Sequence, residues 1–252
     1  MSLMDLPGSL DTAVKNLTDN PTQNMGQSFG DLWYLVFGGI SQAANKKRMR
    51  YASDLKKYEN ELSHSISSIP PDKYVEPSIQ VAAQALENSK YCLSSEYLRK
   101  MFVNLISGTM HADIEPHIHP SFPEILKQLS ENDALMLQLL KNRPELPIAN
   151  IGINTSPTEY RLLWNDICAF IPSNSSTFKC SLSISSLEHV GLIFTTYTAI
   201  LSDHDLYIPI TNTPEYLEAQ RICKESNQNL YYKQGICGLT ALGSEFILSC
   251  VS

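Results

Sequence analysis

Apolar residues in the first half of the chain recur at intervals of three and four, the period of a helix with one buried face. From Asp31 to about Ile69 there is no proline, and Leu55, Tyr58, Leu62 and Ile66 keep this spacing. A long helix is expected, or one bent at the pair Gly38 and Gly39, with Pro70 and Pro71 ending it. Pro77 opens the next helix, through about Ser89, with Ile79, Ala82, Ala83 and Leu86 facing inward. Ser94 or Ser95 then caps another that carries Tyr97, Leu98, Phe102, Leu105 and Ile106. Residues 1–30 are polar and broken by Gly8, Pro21, Gly26 and Gly30, which predicts a flexible lead; Leu10, Val14 and Leu17 allow one short helix within it.

Beyond Pro120 the pattern becomes mixed. Pro123 to Leu129 reads as a short helix, and Ser130 caps "ENDALMLQLLKN", whose Glu131 and Asp133 suit the positive end of a helix. "LPIANIGI" alternates as a strand does. Thr158 to Phe170 spaces Leu162, Leu163, Ile167 and Phe170 as a helix would, and a second helix runs from near Lys179 to Gly191. "LIFTTYTAIL" and "NLYYKQGICGL" are β-rich and read as paired strands, joined through residues 202–228, in which Thr213 and Pro214 start an added helix. Thr240 caps a last helix. The fold class expected is mainly α, of the α+β kind. Its domains are a helical one over 31–122 and a winged-helix-like one over 123–252, with a small antiparallel sheet and a helical insertion in the wing.

With these elements in order, four segments resemble the abortive infection alpha family of bacterial phage-defence proteins. They are "LWYLVFGGI" before a basic helix, "IPPDKYVEPSIQVAAQAL", "LRKMFVNLISGTM" and "HPSFPEILKQLSENDALML". The likeness continues through "LEHVGLI" and "GLTALGSEF", and His119, Pro120, Ser121 and Phe122 are its most specific piece, expected to be structural. It implies a phage-defence protein that works through a protein partner or through self-assembly. The winged-helix order gives an alternative, a DNA-binding regulator.

Charge bears on that alternative. The chain of 252 residues has 19 Lys plus Arg against 26 Asp plus Glu, a formal net charge of -7, which opposes nonspecific attraction to nucleic acid. The expected recognition helix offers only Lys179, Ser183, Ser185 and His189 as DNA contacts, with Glu188 of the wrong sign, so specific DNA binding is not expected. Trp33 and Tyr34, followed by Lys46, Lys47, Arg48 and Arg50, suit contact with a membrane surface or an anion; the apolar run is too short to span a bilayer. Six dispersed cysteines without a CxxC pair, and no signal-peptide pattern at the start, point to reduced thiols in the cytoplasm.

The remaining candidate chemistry is "MHADIEPHIHPSF", where His111, Asp113, Glu115, His117 and His119 alternate with other residues. On an extended backbone these side chains share a face, and His111, Asp113, His117 and His119 are the candidate metal set of a second alternative, a metal-dependent hydrolase. Ligands two apart on a strand lie about 6–7 Å from one another, too far to share one ion readily. A linker without a metal or other cofactor is therefore the expectation. GxSxG, GxxxxGK with Ser or Thr, GxGxxG and HExxH are all absent, so no reaction is named and a non-catalytic role is expected.

Overall fold

A computed structural model of the protein describes residues 25–38, 46–170 and 176–251. The helical spacing of Leu10, Val14 and Leu17 and the bend expected at Gly38 and Gly39 fall wholly or partly outside those residues. The architecture is mainly helical with one four-stranded antiparallel sheet. The chain divides into two compact units, one of the residues up to Gln128 together with Leu248–Ser252, the other Leu129–Ile247.

The first unit is built from α1 (Met25–Phe37), α2 (Lys46–Ser67), α3 (Ile79–Ser89), α4 (Glu96–Gly108) and α5 (Phe122–Gln128). α1 begins inside the stretch expected to be a flexible lead, because Phe29 in its second turn is buried and anchors it. Tyr58 and Leu62 of α2 are fully buried, and Tyr58 packs on Trp33 and Phe37 of α1 with ring centroids 5.7 and 6.2 Å apart. In α3 the inward residues are Val81, Ala82, Ala85 and Leu86, whereas Ile79 in the first turn is 62% exposed. α4 contributes Leu98, Phe102, Leu105 and Ile106 to the core, as its period requires. Glu124 of α5 accepts hydrogen bonds from Gln84 and Asn88 of α3, at 3.0 and 2.8 Å, fastening the two helices.

In the second unit α6 (Glu131–Asn142) starts with a capping box. Ser130 Oγ accepts from the Asp133 amide, and the Asp133 carboxylate accepts from the Ser130 amide. Then come β1 (Glu145–Asn154), β2 (Tyr160–Ile167), α7 (Thr177–His189), β3 (Ile193–Thr196), a 3-10 helix (His204–Asn212), α8 (Pro214–Ser226), β4 (Asn229–Leu239) and α9 (Ala241–Cys250), whose residues from Leu248 on belong to the first unit. The sheet order is β2-β1-β4-β3. Gly191 at φ 77° ends α7, and Thr213 with Pro214 starts α8, both as expected.

The helix expected between β1 and α7 is not formed. The segment from Thr158 to Phe170 holds the strand β2, Tyr160–Ile167, rather than a helix, so the helix-turn-helix order of a winged helix is not seen. The apolar spacing misled because β2 is bulged twice against β1, with register shifts between Ala149 and Ile151 and between Ile151 and Gly152. Each bulge inserts a residue and turns the next side chain over. Leu163, Trp164 and Ile167 therefore all reach the core around Ile151, Tyr207 and Ile210, a spacing that a regular strand could not serve. β3 is also shorter than "LIFTTYTAIL" suggests. Thr196 Oγ1 accepts from the Thr198 amide, a side-chain turn that ends it.

Candidate functional site

The segment His111–Phe122 lies in the helical unit and is not extended. After α4 the backbone closes successive turns, with Ile114 bonding to His111 and His117 to Ile114, each at 2.9 Å, and Glu115–His117 forms a 3-10 turn around Pro116. The alternation that would place five ligand side chains on one face is thereby lost. Asp113 pairs with Lys73 at 2.9 Å, an exposed contact whose hydrogen bond holds the carboxyl below its usual range. His111 Nδ1 accepts the Asp113 amide at 3.2 Å. Among the described residues no three His, Cys, Asp or Glu side chains form a group able to hold a metal ion.

His119 instead organises a corner. Its Nδ1 accepts the Ser121 amide at 3.2 Å and lies 2.7 Å from Ser121 Oγ, while its carbonyl accepts the Phe122 amide at 3.0 Å. Ser121 begins α5, and Pro120 restricts the backbone just before it. Phe122 is fully buried, with the His119 ring 6.1 Å away. The four residues act locally as a helix start.

The residues considered for membrane or anion contact part company. Trp33 is 1% exposed, its ring 4.5 Å from that of Phe37, so it is a core residue and cannot lie at an interface. A helix turn carries its inward and outward residues in adjacent positions, and Tyr34 and Leu35 beside it are exposed. Lys46, Lys47, Arg48 and Arg50 occupy the first turn and a half of α2, with Arg50 exposed. Among the described residues no helix is long and apolar enough to cross a membrane.

On α7, Lys179, Ser185 and His189 are exposed, but Ser183 is buried at 2% and is no contact for an external partner. Glu188 accepts both the amide and the hydroxyl of Thr195 at 2.8 Å, committing its carboxylate to the edge strand β3.

Periodicity gave no sign of a polar network across β1, β2 and the segment after β3. Asp166 sits in the second bulge of β2 at φ 53°, its amide bonded to Asn150 Oδ1 and its carboxylate accepting from Tyr197 Oη and Asn165 Nδ2, both at 2.7 Å. Burial, and then the bond to Asp166, push the Tyr197 hydroxyl well above its ordinary range, so it donates and does not ionise. The only sequence signal was "ND", a pair tolerant of left-handed backbone. The cysteines are all buried; burial pushes the Cys168 thiol up to about 12 and raises Cys92, which disfavours the thiolate a nucleophile needs.

These features define an α+β protein of a helical unit and a sheet-containing unit. A family model for abortive infection alpha matches residues 50–250, and the chain belongs to that family. Comparison with curated proteins and with solved structures finds no match. Family membership supports a role in defence of the abortive-infection type.

Proposed function

We propose that the protein serves this defence role without catalysis, by associating with a second copy of itself through the outer face of α1. The observation that carries the reading is an apolar groove of about 250 Å³ lined by Phe29, Leu32, Leu35, Pro77 and Ile79. Of these Leu35 is 79% exposed and Ile79 62%, and Tyr34, next to Leu35 in the chain, is 55% exposed. Exposed apolar side chains that cluster are more informative than scattered ones. An exposed apolar patch of this kind can serve both partners of a two-fold interface, in which the same surface meets itself. The network at Asp166 and the corner at His119 read as structural, since their hydrogen bonds serve neighbouring backbone and side chains.

A DNA-binding role has less support. The element preceding α7 among the described residues is the strand β2 and not a helix, Ser183 is buried, and from Glu124 onward acidic residues outnumber basic ones.

Light scattering on the purified protein and on Leu35→Lys tests the reading, paired with a phage-plaque assay in cells. A dimer that Leu35→Lys converts to folded monomer, with loss of protection, is expected. A wild-type monomer whose protection is unchanged by Leu35→Lys overturns the proposal. A wild-type monomer that loses protection on this substitution also overturns self-association, and transfers the groove to a different protein.

A further inference from the structure

The helical unit holds a second cleft, of about 320 Å³, where the ends of α2, α4 and α9 meet. Its polar wall has one hydrogen-bonding sense. Ser65 Oγ donates to Ser107 Oγ at 2.8 Å, and Ser107 Oγ donates to the Asn104 carbonyl at 3.2 Å. Ser68 Oγ donates to the Ser65 carbonyl at 2.7 Å, and Ser249 Oγ to the His117 carbonyl at 3.4 Å. A hydroxyl has one hydrogen and two lone pairs, so each of the four serines has spent its donor and keeps acceptor capacity. Asn104 turns its amide nitrogen to the Cys250 carbonyl at 2.9 Å, which sets its Oδ1 on the opposite side of the group.

The backbone reinforces that sense. Ser65 and Ser68 belong to the C-terminal end of α2, Asn104 and Ser107 to that of α4, and Ser249 to that of α9. A helix C-terminus carries about half a negative charge, and three of them border one cleft. His111 supplies the contrary group. Its Nδ1 accepts the Asp113 amide, so in the neutral ring the proton is on Nε2, a donor. Ile69, Ile114 and Val251 give the rest of the wall an apolar character.

We propose that this cleft binds a small organic ammonium: a protonated amine held by the serine hydroxyls, on a short hydrocarbon chain that ends in a neutral acceptor facing His111. The size excludes a bare metal ion as occupant. At about 30 Å³ per water molecule the space holds roughly ten waters, and it falls at the lower end of the usual range for small-molecule sites. Among the described residues no carboxylate lines it, and a divalent ion takes several such oxygens. An anion would face lone pairs and three helix C-termini.

Isothermal titration calorimetry of the full chain with aminobutanol, butanediol and hydroxybutyrate decides the proposal. Aminobutanol binds, butanediol binds at least tenfold more weakly, and hydroxybutyrate gives no heat. Ser107→Ala, which removes the acceptor for Ser65, weakens aminobutanol several-fold. Should that variant fold poorly, Ser68→Lys is the second test, because Ser68 is exposed and its replacement puts an ammonium at the cleft mouth. Loss of aminobutanol binding in folded Ser68→Lys is expected. Absence of aminobutanol binding to the wild type, equal binding of butanediol, binding of hydroxybutyrate, or indifference to Ser68→Lys would each overturn the site. None of these readouts depends on the oligomeric state, so the proposal stands or falls apart from self-association.

Discussion

The guanidinium of Arg99 is held on two sides. Nε and Nη2 donate to the Glu61 carboxylate at 2.8 and 2.9 Å, and Nη1 donates to the Leu93 carbonyl at 3.0 Å. Its side chain is 7% exposed and that of Glu61 31%, so water replaces these bonds only in part. Arg99→Ala is expected to lower unfolding free energy by about 2–3 kcal/mol in urea titration, more than Glu61→Gln, because it strands two acceptors. At Gly243 the reason is steric. A Cβ there would overlap the carbonyl oxygen of Leu192, which already accepts the Thr240 amide at 3.0 Å. Gly243→Ala should cost about 1–3 kcal/mol, read as a lower melting temperature with unchanged helix content by circular dichroism. His119→Ala has a smaller expected effect, about 0.5–1 kcal/mol, since its bonds cap one short exposed helix start. An unchanged melting temperature with lost protection against phage would reassign His119 to a functional contact.

At the scale of elements, what was legible followed from chemistry contained within each segment. Ser130, Thr213 and Thr240 each cap the helix expected of them, because a cap depends on the next three residues and on nothing distant. Ser130→Ala should lower stability by about 1 kcal/mol in the same urea titration, and by more if Asp133 loses its orientation toward Ser186 Oγ. β2 was not legible because its assignment depends on β1. Only the neighbouring strand makes room for the bulges that bring Leu163, Trp164 and Ile167 inward together. The histidine run after α4 shows the converse. Its alternation is genuine, yet Pro116 and the bonds between residues three apart set a different backbone, and alternation has meaning only on a strand. The acceptor cleft escaped notice for a third reason, since residues from three helices far apart in sequence line it.

For the molecule as a whole, several carboxylates titrate below their ordinary range. Hydrogen bonds from Asn88 and Gln84 lower Glu124, that of Lys73 lowers Asp113, and that of Lys100 lowers Glu96. A depressed folded-state pKa gives stability that is complete above the unfolded value and is lost as pH falls through the folded one. Melting temperature should therefore hold above the usual carboxylate range and decline below it. Glu124→Gln should flatten that decline, as it removes one of the responsible groups.

Among the described residues the order β2-β1-β4-β3 leaves two strands without an outer partner, and both are poor templates. β2 is bulged twice, and β3 has only 4 residues. A strand from another chain needs a regular row of free amides and carbonyls to extend a sheet, and neither border offers one. The self-association proposed above, through the face of α1, would then not be extended by open-ended addition of strands. A cell that accumulated large amounts of it in mounting a defence would be spared fibres seeded by its own protector.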